Sequence, residues 1–174
     1  THLMVEGPLI KDTLTYILTG RTTYSNWIFG MIDDKALSNS RAAFYDVNGA
    51  LSWSPDKNNK LSLSAYLSHD AFRFNSDTVY DYSNRVLAFR WRHFFNSRFF
   101  SAFSLHHSNY TYDISSHQIA EEAFVLSHTV NTTGLKADFN WFAGKHEVNF
   151  GLDASRHGIN PGTYLPDADS SLVT

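Results

Sequence analysis

The chain contains no cysteine, which removes any disulfide framework and any thiolate metal site. It has no basic run and a formal net charge of −3, so there is no electrostatic case for nucleic acid. No segment approaches the roughly 18 or more consecutive apolar residues of a membrane-spanning helix. The mean hydropathy of −0.30 argues against helical membrane proteins only, because the strands of a membrane barrel place half their residues in polar surroundings. Neither a nucleophile elbow, nor a phosphate loop, nor a catalytic pair of carboxylates can be placed, so the sequence assigns no catalytic residue and no cofactor. What the chain does have is aromatic rings, 16% of its 174 residues, and a strict alternation.

Six stretches alternate apolar and polar residues with period two. Tyr45, Val47, Gly49, Leu51 and Trp53 oppose Asp46, Asn48, Ala50 and Ser52. Leu61, Leu63, Ala65 and Leu67 oppose Ser62, Ser64, Tyr66 and Ser68, and Leu87, Phe89 and Trp91 oppose Arg90 and Arg92. The pattern returns around Phe99, Phe103 and Leu105, then in Leu135, Ala137, Phe139 and Trp141 against Lys136, Asp138 and Asn140. It closes with Val148, Phe150, Leu152 and Ala154 against Glu147, Asn149 and Asp153. Strand side chains point alternately to opposite faces, so each stretch is a two-faced strand. A weaker one, Leu14 to Gly20, brings the expected number to about seven.

The connections alternate as well. Short ones, built of turn formers, fall near Lys11-Asp12, at Pro55–Asn59, at Asn96-Ser97 and at Ala143–Lys145. Long ones cover roughly 22–40, 75–84, 113–128 and everything after Asn160. Helical periodicity is weak and confined to Ser25–Phe29 and Gln118–Ala123, both in long loops, where a helical turn fits. Long two-faced strands joined by short turns at one end and long loops at the other predict an all-β, antiparallel transmembrane barrel. Trp53, Trp91 and Trp141 lie on apolar faces just before short turns, and Phe99 just after one. Rings at that level form an aromatic girdle, half buried and half wet.

The opening Val5-Glu6-Gly7-Pro8-Leu9-Ile10-Lys11-Asp12 and the segment Tyr16–Tyr24 resemble the early barrel of TonB-dependent outer-membrane receptors of the Bacteroidetes. Phe44–Asn48, Leu61–Tyr66 and Asn160-Pro161-Gly162 resemble that family too, so the likeness runs through most of residues 5–162. The resemblance implies a barrel of about 22 strands filled by a plug domain, and energised import of a scarce ligand: an iron chelate, cobalamin or an oligosaccharide. It implies a place in the bacterial outer membrane, TonB as a partner through the plug, and in some relatives a surface lipoprotein. No plug or TonB-contacting segment is present in this sequence. The expected organisation is therefore a cloning remnant at 1–4, a partial barrel over 5–162 and a loop or tail over 163–174. A partial barrel alone cannot transport, and its open edges favour self-association.

Within that frame, Asp46, Asn48, Arg90, Arg92, Lys136 and Asp138 are expected on the polar, lumen-facing side. Trp27, Phe29, Tyr80 and Tyr82 are candidate ligand or partner contacts in long loops. Nine histidines raise a metal question, but His106 and His107 are adjacent and point to opposite faces. His69-Asp70 and Asp153 with His157 lack a recognisable ligand spacing, so solvated histidines are expected and no metal site. The alternative reading is a small soluble ligand-binding barrel of lipocalin type, with its apolar faces turned inward.

Overall fold

In the computed structural model, residues 1–23, 40–73, 78–116 and 119–167 are described. The strands are β1 (His2–Ile10), β2 (Leu14–Thr22), β3 (Arg41–Asp56), β4 (Asn59–Arg73), β5 (Val79–Asn96), β6 (Phe99–Ser116), β7 (Phe124–Ala143) and β8 (His146–Pro166). They form one antiparallel sheet in the order β1 to β8, each strand beside its sequence neighbours. The only helical piece among the described residues is a single 3-10 turn, Ala120–Glu122, within the second stretch of weak helical periodicity; the first, Ser25–Phe29, lies outside the described residues. The antiparallel all-β class is as the alternation predicts. There are eight strands rather than about seven, the additional one being β1. Among the described residues, β1 and β8 do not pair with each other.

All four short connections stand where the turn formers placed them. Asp12 turns the chain with φ of 60° and Gly144 with φ of 66°, the left-handed region that tight hairpin loops require. In two others a side chain builds the turn. The Asn58 N–H donates to Asp56 Oδ1 at 2.7 Å, and the Arg98 N–H donates to Asn96 Oδ1 at 2.9 Å, both folding the backbone over an Asx carbonyl or carboxylate. The ladder shifts register beside each of them, between Trp53 and Asp56 and between Phe94 and Asn96.

The strands run further toward the long-loop end than the sequence suggested. β5 begins at Val79, so Tyr80 and Tyr82 are strand residues and not loop contacts: Tyr80 pairs with Phe72 and Ile114, and Tyr82 with Asp70 and Tyr112. Their alternation with Asp81 and Ser83 suits a pleated strand. β8 passes Asn160-Pro161-Gly162 by a register shift and pairs again through Pro166 with Phe124. The Gly162 N–H donates to Asn160 Oδ1 at 3.2 Å, and Pro161, with no N–H to give, occupies the interruption in the ladder. His2–Met4 pair with Thr19–Arg21 in β1.

No hydrophobic core exists among the described residues. Only Ala102, Ala123, Ser40, Ser101 and Gly134 are buried, as a single layer of sheet dictates. The two faces nevertheless differ. Leu51, Leu63, Leu67, Leu87, Phe89, Leu105 and Leu135 are exposed, while Asp46, Ser52, Ser62, Ser64, Ser68 and Ala88 on the other face are partly covered. Side chains converge and shield one another on the inside of a curved sheet, so the polar face is the concave one.

Candidate functional site

The outer, apolar face carries a continuous band from β2 to β8. Across the ladder, Leu51 is in register with Tyr16, Leu63, Phe89, Leu105, Leu135 and Ala154. At its short-turn end the band becomes aromatic. Trp91 stacks on Phe103 at 5.4 Å, Phe95 on Phe99 at 4.9 Å, Phe99 on Phe139 at 6.2 Å and Phe139 on Phe150 at 5.2 Å. Trp53, Trp91 and Trp141 remain 45%, 37% and 49% exposed. Trp91 Nε1 donates to Asn59 Oδ1 at 3.0 Å, so its ring lies against apolar neighbours while its one polar atom is satisfied at the turn. This belt contains all the expected girdle residues except Trp53 as ring-stacked members or, for Trp141, as the register partner of Phe99. Phe139 and Phe150 belong to it as well. Strand alternation marks both as outward, but only the register reveals that they meet.

The register also carries a tilt. Along the hydrogen-bonding direction, Trp53 is level with Leu61, Trp91, Phe103 and Ala137. Trp141 lies four residues beyond Ala137 on β7, and β7 is four strands from β3. A plane through Trp53 and Trp141 therefore cuts the ladder obliquely, by one residue per strand. With a rise of about 3.3 Å and a strand spacing of about 4.8 Å, the strands lean about 35° from the normal of that plane. Closed barrels lean their strands by about 35–45°.

The inner face divides into two districts. Toward the long-loop end it is rich in tyrosine: Tyr82 stacks on Tyr112 at 4.7 Å with planes 9° apart, and Tyr112 on His128 at 5.7 Å. Tyr80 and Tyr82 are thus lining residues of a sheet face. In the same half, Asp46 accepts from Arg21 Nε at 2.7 Å, tying β3 to β2, and Asn48 lies one pleat nearer the short turns beside Thr19 and Tyr66. Toward the short-turn end the face is charged. Lys136 and Asp138 pair at 3.2 Å within β7. Arg90 and Arg92 share a depression with them but form no ion pair among the described residues, so the cross-strand bridging open to them is not made. Trp27 and Phe29 lie outside the described residues.

The histidines are dispersed. His107 Nδ1 is 2.8 Å from Thr133 Oγ1, His157 Nδ1 is 3.1 Å from Thr132 Oγ1, and His106 lies over Gly134 on the opposite face from His107. His69 meets Asp81 across the ladder, Nε2 to Oδ2 at 3.3 Å, rather than its chain neighbour Asp70. Among the described residues no three His, Asp or Glu side chains converge in a way that could hold a metal ion. No helix of the described residues is long and apolar enough to cross a membrane, which has no bearing on strands. No protein-family model matches the chain, and no curated protein shows significant similarity to it. What the surface can do rests on its geometry: one broad apolar face ending in aromatic rings, and one concave polar face with two chemically distinct ends.

Proposed function

We propose that the chain is part of the barrel wall of a TonB-dependent receptor of the bacterial outer membrane, its apolar face against lipid and its polar face toward the lumen. In the intact parent, this wall would surround a plug and take part in importing an iron chelate, cobalamin or an oligosaccharide. TonB would act through the plug, and a surface lipoprotein is a further candidate partner. The chain alone would hold a segment of the wall and carry no transport of its own.

One observation supports this reading above the others: the more exposed face of the sheet is the apolar one. A sheet in water hides that face, whereas one in lipid displays it. The length of β3 to β8, 15 to 21 residues each, exceeds the 9 to 11 or so that a tilted strand needs to span a bilayer. The aromatic belt and the lean of about 35° are in keeping with it. The same exposures weigh against a lipocalin-like barrel, whose sheltered face would be the apolar one.

The test is the mass of the chain in solution, by light scattering coupled to size exclusion, with and without detergent. A species that needs detergent, or that associates without it, is expected from an exposed apolar face and two open sheet edges. A compact, detergent-free monomer would overturn the membrane reading and favour the soluble barrel.

A further inference from the structure

At its short-turn end the concave face carries Lys60, Arg90, Arg92 and Lys136 against Asp138, Glu147 and Asp153, the last directly opposite Lys136. Lys60 lies directly opposite Arg92 in the β4–β5 ladder, and like charges so placed repel. Arg90, one pleat away on the same face, is flanked by Ser62 and Ser104. The carboxylate that lines the same depression, Asp138, is engaged by Lys136 at 3.2 Å. Neither Arg90 nor Arg92 has an ion pair among the described residues.

Arg90, Arg92, Lys136 and Asp138 line a depression of about 570 Å³, a size suited to a small molecule (about 300–1,000 Å³). Small residues, Ala102 and Gly151, line it, which leaves the space above them open. Asn140 and Asn149, in register across β7 and β8, add amides to its wall, and Asn149 Nδ2 donates to Glu147 Oε1 at 3.2 Å. Two guanidiniums, an ammonium, two amides and one carboxylate, the last held by the ammonium, thus line one space. The guanidinium fork matches a carboxylate or a phosphate with two parallel N–H···O bonds.

We infer that this depression is a binding site for the carboxylate or phosphate groups of a small polyanion. The site deepens the proposed function, because it rests on the polar face lining a ligand-accessible lumen. The anion supplies the negative charge that Arg90 and Arg92 lack among the described residues, and the two guanidiniums fix its orientation.

The experiment is calorimetric titration of the chain, folded in non-ionic detergent, with citrate and with pyrophosphate. Saturable binding that weakens as salt is added is expected. Arg90→Gln and Arg92→Gln should each weaken it by about tenfold or more. Arg85→Gln is the matched control: it removes the same charge from the opposite face, where Arg85 stands beside Leu67 and Asn109, and should leave the affinity unchanged. Far-ultraviolet circular dichroism checks that all three variants keep their strands.

Equal weakening by Arg85→Gln would reduce the effect to net charge and overturn the site. So would the absence of saturable binding of either anion. Binding of an oligoglutamate peptide alone, lost in Arg90→Gln, would also overturn it and assign the arginines to an acidic protein segment. None of these outcomes touches the detergent dependence that tests the membrane reading, and a detergent-free monomer would leave the titration interpretable.

Discussion

Along β3 to β8, residues one position apart live in different surroundings. Leu63 and Leu87 stand 40% and 52% exposed on one face, while Ser62, Ser64 and Ala88 beside them are partly covered on the other. In a water-soluble sheet, burial and apolarity rise together. Here they run opposite, and the partly covered side carries Arg92 and Asp138. Apolarity on the convex side does not build a core among the described residues.

The most direct way to break that contrast is to place one charge on each face. In the chain folded into vesicles, Leu63→Arg is expected to cost about 2–4 kcal/mol where the site lies near the bilayer midplane. Ser62→Arg, one residue away, should cost far less, and urea titration compares them. Equal losses would show that the faces are assigned wrongly.

A second substitution shows that tolerance on the inner face has a limit. Gly134 lies under the His106 ring so closely that an added Cβ would collide with it. Gly134→Ala should cost about 1–3 kcal/mol through displacement of that ring. Adding His106→Ala should recover most of the loss, so the pair will be non-additive. Full additivity would mean that the ring is not what excludes the methyl group.

The smallest effect belongs to a turn that serves neither face. The Asn59 side chain and the Asn58 N–H hold the Asp56 carboxyl below its ordinary range. A carboxyl whose pKa is lower folded than unfolded contributes stability above the unfolded value and loses it as pH falls through the folded one. The wild-type denaturation midpoint should therefore drop slightly more than that of Asp56→Asn between neutral and acid pH. Identical drops would remove the turn from the account.

Much of this architecture was legible in the sequence, because a half-polar sheet writes its faces at period two and its turns in Asp, Asn and Gly. In the ladder Asp46, Asn48, Arg90, Arg92, Lys136 and Asp138 stand at positions of one face. β1 escaped notice because Glu6-Gly7-Pro8 interrupts any alternation; it becomes a strand by pairing with Tyr16–Arg21, a tertiary effect that local propensity does not carry. Tyr80 and Tyr82 looked like loop residues because Asp, Ser and Asn surround them, yet polar strands extend well past the apolar band. Phe139 and Phe150 entered the aromatic belt through register, which depends on strands far apart in the chain. The depression at Arg90 and Arg92 needed the same information, since its walls come from β5 to β8.

The unbroken order β1 to β8 also bears on how the molecule is made. Every strand pairs only with its neighbours in the chain, so each contact closes a loop no longer than one hairpin. Closure entropy grows with the logarithm of loop length, and three of the hairpins close over two-residue turns at Lys57-Asn58, Ser97-Arg98 and Gly144-Lys145. Assembly can then proceed as a zipper, with β3–β4, β5–β6 and β7–β8 forming as units and joining side by side. For a sheet of such long strands, that is a low-contact-order route to a large structure.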